Sequence, residues 1–90
     1  MRVRVLYFGV LKDIFGQECE ELELADGSTA GTLLALMKQR ATAREGLWES
    51  IAVAVNQEYV RAAKQLNDGD EVALLPPVSG GTGEGSKDAD

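Results

Sequence analysis

Six consecutive residues, Pro76-Pro77-Val78-Ser79-Gly80-Gly81, follow an apolar segment that reads as the last strand of a small domain. Two successive glycines make the narrowest arm a polypeptide can present, because neither carries a side chain. With Gly81 as the chain's terminus, its carboxylate could enter another protein's active site and be activated there. With residues 82–90 attached, the Gly81 carbonyl is an amide and that chemistry is closed. Pro76 and Pro77 predict a stiff exit that aims the arm away from the domain, and Gly80 and Gly81 restore freedom at its tip. The bland alternative is an ordinary linker, for which Gly-Gly is common material. Placement directly after Leu74-Leu75 and two prolines favours a functional arm.

Few other residues offer chemistry. The chain has no histidine and one cysteine, so it lacks histidine acid–base work, a Cys-His pair and a cysteine-rich zinc site. Cys19 has acidic neighbours and no adjacent cation to favour its thiolate, which points to a structural or incidental role. Asp68, Asp70 and Glu71 suggest a metal site at first sight, but Asp-Gly-Asp reads more economically as a hairpin turn with solvated carboxylates. Glycine-rich residues 78–85 contain no Gly-Lys-Ser or Gly-Lys-Thr, and no apolar helix follows, which removes a phosphate loop.

The elements that must position the arm follow from periodicity. Residues 2–8 alternate as a strand, with Val3, Val5 and Tyr7 expected to face the core and Arg2, Arg4, Leu6 and Phe8 on the other face. Leu6 and Phe8 beside two arginines fit either a second small core or a protein-binding patch. Residues 9–15 make a turn or short helix returning Leu11, Ile14 and Phe15 to the domain, and Gly16 permits a change of direction. Residues 19–25 alternate as a second strand with Leu22 and Leu24 inward. Glu20, Glu21 and Glu23 within it and Glu18 just before it favour a solvated sheet edge.

Asp26-Gly27-Ser28 is a turn signal, and Thr29 is the expected N-cap of a helix through Leu33, Leu34, Leu36, Met37 and Ala41. Gly31 weakens its first turn. Leu47, Trp48 and Ile51 pin a short connection, with Trp48 an anchor at the core edge because no aromatic companion or basic groove is evident. Residues 52–56 read as a buried strand and 58–61 as a short returning one, joined at Asn56-Gln57. Residues 66–70 turn the chain into a final strand, 71–75, with Val72 and Leu74 on one face and Ala73 and Leu75 on the other. Pro76 ends it for want of an amide hydrogen. The order predicts an α+β domain, a mixed sheet with one main helix across a face.

Ninety residues, 44% of them hydrophobic, allow one domain with a single modest core. A net charge of −6 disfavours nucleic acid and anionic membrane and suits a basic protein surface. Residues 82–90 hold three acids and one base, a net −2, so residues 1–81 keep −4 of that charge. No stretch is long enough to cross a membrane and no secretory leader is seen. With the lone cysteine, this predicts a cytoplasmic, reducing location.

Residues 1–81 resemble the molybdopterin synthase small subunits, ubiquitin-like sulfur carriers with a β-grasp fold. The matching blocks are residues 3–8, Ala54-Val55-Asn56, residues 66–73 and Pro76-Pro77-Val78-Ser79-Gly80-Gly81. The last two blocks separate the assignment from a generic glycine-rich tail and favour it over the related thiamine sulfur carriers. What the resemblance implies is a non-catalytic subunit whose Gly81 carries sulfur, with the active-site groups on a large synthase subunit. Val78, Ser79, Gly80 and Gly81 would form the arm entering that partner, and Leu6, Phe8, Leu75, Pro76 and Pro77 the docking surface. No cofactor would be held stably. An activating enzyme would use ATP to form a transient Gly81 acyl adenylate, and a sulfur-donor protein would convert it to a thiocarboxylate for the cyclic pyranopterin precursor. The implied state is a hetero-oligomer.

Family carriers end at the second glycine, whereas residues 82–90 continue as a polar acidic extension expected to be disordered. Maturation by a processing protease is the leading explanation. A specialised inactive or regulatory homologue and an extension added for expression are the others. The competing functions are a ubiquitin-like modifier joined through Gly81 to a lysine, a noncovalent adaptor, and a sulfur carrier for another pathway such as thiamine synthesis.

Overall fold

Val3, Val5 and Tyr7 are buried along β1 (Arg2–Tyr7), while Arg2 and Arg4 stay exposed and Leu6 is half-buried. This alternation sets which sheet face is covered in the computed structural model, which describes residues 1–41 and 45–77. The remaining elements are α1 (Val10–Phe15), β2 (Cys19–Glu23), α2 (Ala30–Arg40), α3 (Glu45–Trp48), β3 (Ala52–Val55), β4 (Glu58–Val60) and β5 (Glu71–Leu75). The five strands form one mixed sheet in the order β2-β1-β5-β3-β4. β1 and β5 run parallel and the other pairs antiparallel. This is the α+β, β-grasp arrangement expected.

α2 covers one face. Thr29 caps it with its side chain on the Thr32 amide at 3.2 Å, and the Thr32 hydroxyl answers at the Thr29 amide. That reciprocal box satisfies amides that a helix start leaves free. Ala30, Leu33 and Met37 point inward onto Val3, Val5, Tyr7, Val72 and Leu74 and are fully buried. Each larger apolar side chain so buried contributes roughly 1.5–3 kcal/mol. Gly31, expected only to weaken the helix, has a positive reason. A Cβ there would lie 3.1 Å from the Ala62 Cβ and 3.2 Å from its carbonyl oxygen, which accepts from the Gly31 amide at 2.9 Å.

β2 is an edge strand, as its charge predicted, but Glu20 does not share the solvated fate of its neighbours. The register Val5↔Glu20 turns it to the helix-covered face. There its carboxylate accepts from the Tyr7 hydroxyl and from Arg40 Nη1 at 3.1 Å. Trp48 is the expected anchor, 6% exposed with Nε1 donating to the Ala41 carbonyl at 3.0 Å. It does have an aromatic companion: Phe15 meets it edge-on at 6.1 Å and stacks on Tyr7 at 4.5 Å.

The Asn67–Asp70 turn also departs from expectation. It leads into β5, which pairs with β1 and β3 and not with the preceding β4, so it is not a hairpin, and Asp70 is buried rather than solvated. Its carboxylate accepts from the Asn67 amide at 2.8 Å and from Asn56 Nδ2 at 3.0 Å. Asn56 and Gln57 make the β3–β4 turn with φ of 51° and 73°, the paired left-handed residues of a tight hairpin. Among the described residues no group of three or more His, Cys, Asp or Glu side chains could hold a metal ion. None of their helices is long and apolar enough to cross a membrane.

Candidate functional site

Among the described residues nothing packs over the face of the sheet opposite α2, and the register divides that face lengthwise into two chemical halves. Arg2 pairs with Glu23 and Arg4 with Glu21 across β1 and β2, and Glu71 lies beside Arg4 on β5. Arg2 Nε meets Glu23 Oε1 at 3.4 Å. Both partners are exposed, so solvent leaves such pairs little net strength. A hollow of about 350 Å³ lies between Arg2, Arg4, Glu21, Asp68 and Glu71, at the end far from the arm.

Two residues further along the same strands the face turns apolar. Leu6 lies beside Cys19 on one side and Ala73 on the other, Ala73 beside Ala54, and Ala54 beside Tyr59. Leu75 follows Ala73 on this face, opposite Ala52. Leu6 and Leu75 are half-buried, Phe8 is 40% exposed and Tyr59 77% exposed. A second small core would have closed over Leu6 and Phe8. Among the described residues nothing covers them, so they belong to an open patch.

Leu6, Phe8 and Leu75, expected to dock a partner, lie together in this patch, and Ala73, expected on Leu75's face, and Tyr59 lie in it as well. Tyr59 was legible only as the centre of a three-residue strand; its face depends on pairing with Ala54. Cys19 is exposed beside Leu6, at the rim of a shallow groove with Phe8, Lys12 and Glu18.

Pro76 and Pro77 follow β5 directly, Pro76 half-buried and Pro77 exposed. Their approach to the domain runs through Gly9. β1 and β5 are aligned at Tyr7↔Leu74, and two further steps bring Gly9 beside Pro76. A Cβ on Gly9 would lie 3.0 Å from Pro76 Cγ. The remaining arm residues Val78, Ser79, Gly80 and Gly81, and the extension 82–90, lie outside the described residues.

The patch and the root of the arm are thus one continuous surface, with Leu75 belonging to both. An apolar patch continuous with the chain's exit from the sheet suits binding and presentation of a group.

Comparison with known proteins agrees. The ThiS family model matches residues 5–81. The chain is 40% identical over 83 residues to the molybdopterin synthase sulfur carrier subunit of Chlamydomonas reinhardtii, covering 90% of this chain and all of that one. Among solved structures, a molybdopterin converting factor subunit 1 of Pyrococcus furiosus superposes with a TM-score of 0.77 at 30% identity, over 87% of this chain and 99% of the other. A chain from the complex of subunits 1 and 2 of the Helicobacter pylori molybdopterin-converting factor superposes with a TM-score of 0.65 at 30% identity, over 90% of this chain and all of that one. An open-faced β-grasp sheet leading into a diglycine sequence, matched by family model and relatives alike, places this chain in the ThiS family, among the molybdopterin synthase sulfur carrier subunits.

Proposed function

We propose that this protein donates sulfur from a Gly81 thiocarboxylate to the cyclic pyranopterin precursor of the molybdenum cofactor, after residues 82–90 are removed. The observation that carries the reading is Leu75. It ends β5, lies in the apolar patch with Leu6, and is followed at once by Pro76. A partner gripping the patch therefore grips the root of the arm, and the reacting group is delivered without any catalytic side chain on the carrier.

The cycle begins at an ATP-dependent activating enzyme. A carboxylate is a poor electrophile, whereas its acyl adenylate has AMP as leaving group. The persulfide of a sulfur-donor protein then attacks the acyl carbon and expels AMP, and a thiol cleaves the resulting acyl disulfide, leaving the thiocarboxylate on Gly81 and a disulfide on the thiol side. The large synthase subunit receives the arm next, as the H. pylori complex of subunits 1 and 2 suggests. Gly80 keeps the arm narrow enough for a channel that excludes water around a hydrolysable acyl group. The domain is residues 1–81, where the family match ends, and 82–90 are an appendage to it. A processing protease exposes Gly81.

Three purified chains test this with the family's activating enzyme: residues 1–81, the full chain, and residues 1–79. ATP-dependent pyrophosphate exchange is expected with the first only. Absence of exchange with residues 1–81, under conditions where a known carrier of the family responds, would overturn the reading. An isopeptide adduct on a lysine in place of a thiocarboxylate would reassign the chain as a protein modifier.

A further inference from the structure

Gly9 adds no side chain to the core or to the apolar patch it borders, yet its backbone is among the most specialised in the molecule. It adopts φ 56° and ψ −134° between β1 and α1, a conformation that side chains oppose. The same residue faces Pro76, whose Cγ would stand 3.0 Å from a Cβ placed there. Two independent constraints thus converge on one missing side chain. The first, torsional, shapes the turn into α1. The second concerns Pro76, the first residue beyond β5, whose ring occupies the space a Cβ would need.

We propose that Gly9 is a positioning residue for sulfur transfer: the bare backbone at Gly9 seats the Pro76 ring, and this contact sets the direction in which the diglycine arm leaves the sheet. Pro76 lacks the amide hydrogen that would let the ladder hold it. Its orientation therefore depends on what its ring rests against, and the surface that a Cβ would push it from is Gly9. Proline's fixed φ passes that orientation to Pro77. A side chain on Gly9 would displace the ring and swing the arm while leaving Leu6, Phe8 and Tyr59 in place. The proposal rests on the sulfur-carrier reading for its kinetic consequence, but the geometric claim does not.

The test is a cycle of Gly9→Ala, Pro76→Ala and the double variant. Spin labels at Val78→Cys and Lys38→Cys, in a Cys19→Ser background, report the distance from the arm's root to α2 without any partner. Gly9→Ala is expected to shift the mean distance, Pro76→Ala to broaden the distribution, and the double variant to lose the shift. In single-turnover sulfur transfer, with Cys19 intact, Gly9→Ala is expected to lower the maximal rate constant on the order of 100-fold with the half-saturating concentration little changed, as misplacement of a reacting group by about 1 Å does. The double variant should recover about tenfold of that loss, a coupling typical of residues in contact.

An unshifted distance in Gly9→Ala, or a shift that persists in the double variant, overturns the proposal and leaves turn strain as Gly9's whole role. If Gly9→Ala does not fold, Pro76→Ala decides alone, and an unbroadened distribution overturns it. Loss of sulfur transfer in the unmodified carrier would instead count against the proposed function, with the distances still deciding the geometry.

Discussion

Tyr7 and Glu20 share a hydrogen bond across the β1–β2 pair, on the face that α2 covers. Arg40, in the last turn of α2, reaches the same carboxylate at 3.1 Å and lies over the Phe15 ring at 5.7 Å. One glutamate of a highly charged edge strand therefore ties the end of the main helix to the sheet. Burial, then the hydrogen bond to Glu20 and its negative charge, push the Tyr7 phenol well above its ordinary value of 10, against the opposing charge of Arg40.

The sign of the pH dependence follows from that shift. In the unfolded chain Tyr7 ionises near pH 10, whereas in the fold it stays neutral to higher pH. Its contribution is complete below pH 10 and is lost as pH rises through the higher folded value. Denaturant midpoints should fall above about pH 10 in a Tyr59→Phe background, and less steeply once Tyr7→Phe is added. The Tyr7→Phe change itself should cost about 1–2 kcal/mol at neutral pH, by removing a donor from a half-buried carboxylate. Phenolate absorbance from Tyr7 at pH 10 in the folded Tyr59→Phe protein would contradict this.

Asp70 holds two donors from separate turns, the Asn67 amide and Asn56 Nδ2. Asp70→Ala leaves both without their acceptor and should cost about 3 kcal/mol. Asp68→Ala removes only an exposed acceptor from the Arg2 amide at 2.7 Å and should cost about 1 kcal/mol or less. Equal losses for the two variants by chemical denaturation would remove Asp70 from this role.

Gly31→Ala opposes two effects. Helix propensity favours alanine by about 1 kcal/mol. The Ala62 carbonyl, held by the Gly31 amide at 2.9 Å, cannot retreat from a Cβ without stretching that bond. We expect net destabilisation of about 1 kcal/mol, since overpacking commonly costs 1–3. A higher denaturation midpoint for Gly31→Ala would show that the loop gives way.

Leu6→Asp places a charge in the apolar half of the open face and should weaken binding to the large synthase subunit at least roughly tenfold. Leu6 is only half-buried, so the variant should still fold. Unchanged affinity with native circular dichroism would take Leu6 out of the interface.

Much of this was legible in residue order. Alternation along β1 assigned Val3, Val5 and Tyr7 to the core and left Leu6 and Phe8 on the other face, and Thr29 announced the start of α2. What stayed hidden depends on which strands are neighbours. Glu20 shares Leu22's inward face by the two-residue period, but its partners Tyr7 and Arg40 come from other elements, and Tyr59 joins the patch because β4 pairs with β3 at Ala54. Trp48 meets Phe15, and Asp70 meets Asn56, across separations that no local period encodes. Gly9 looked like ordinary turn material because its constraint comes from Pro76, at the other end of the domain. The open patch was readable in part because Leu6 and Phe8 follow Arg2 and Arg4 on one face of the strand.

The most direct test is the intact mass of the carrier isolated from cells actively making molybdenum cofactor. The expected mass is that of a chain ending at Gly81, part of it heavier by the replacement of one terminal oxygen with sulfur. Full cofactor output from a population in which every molecule still carries Asp90 would contradict it.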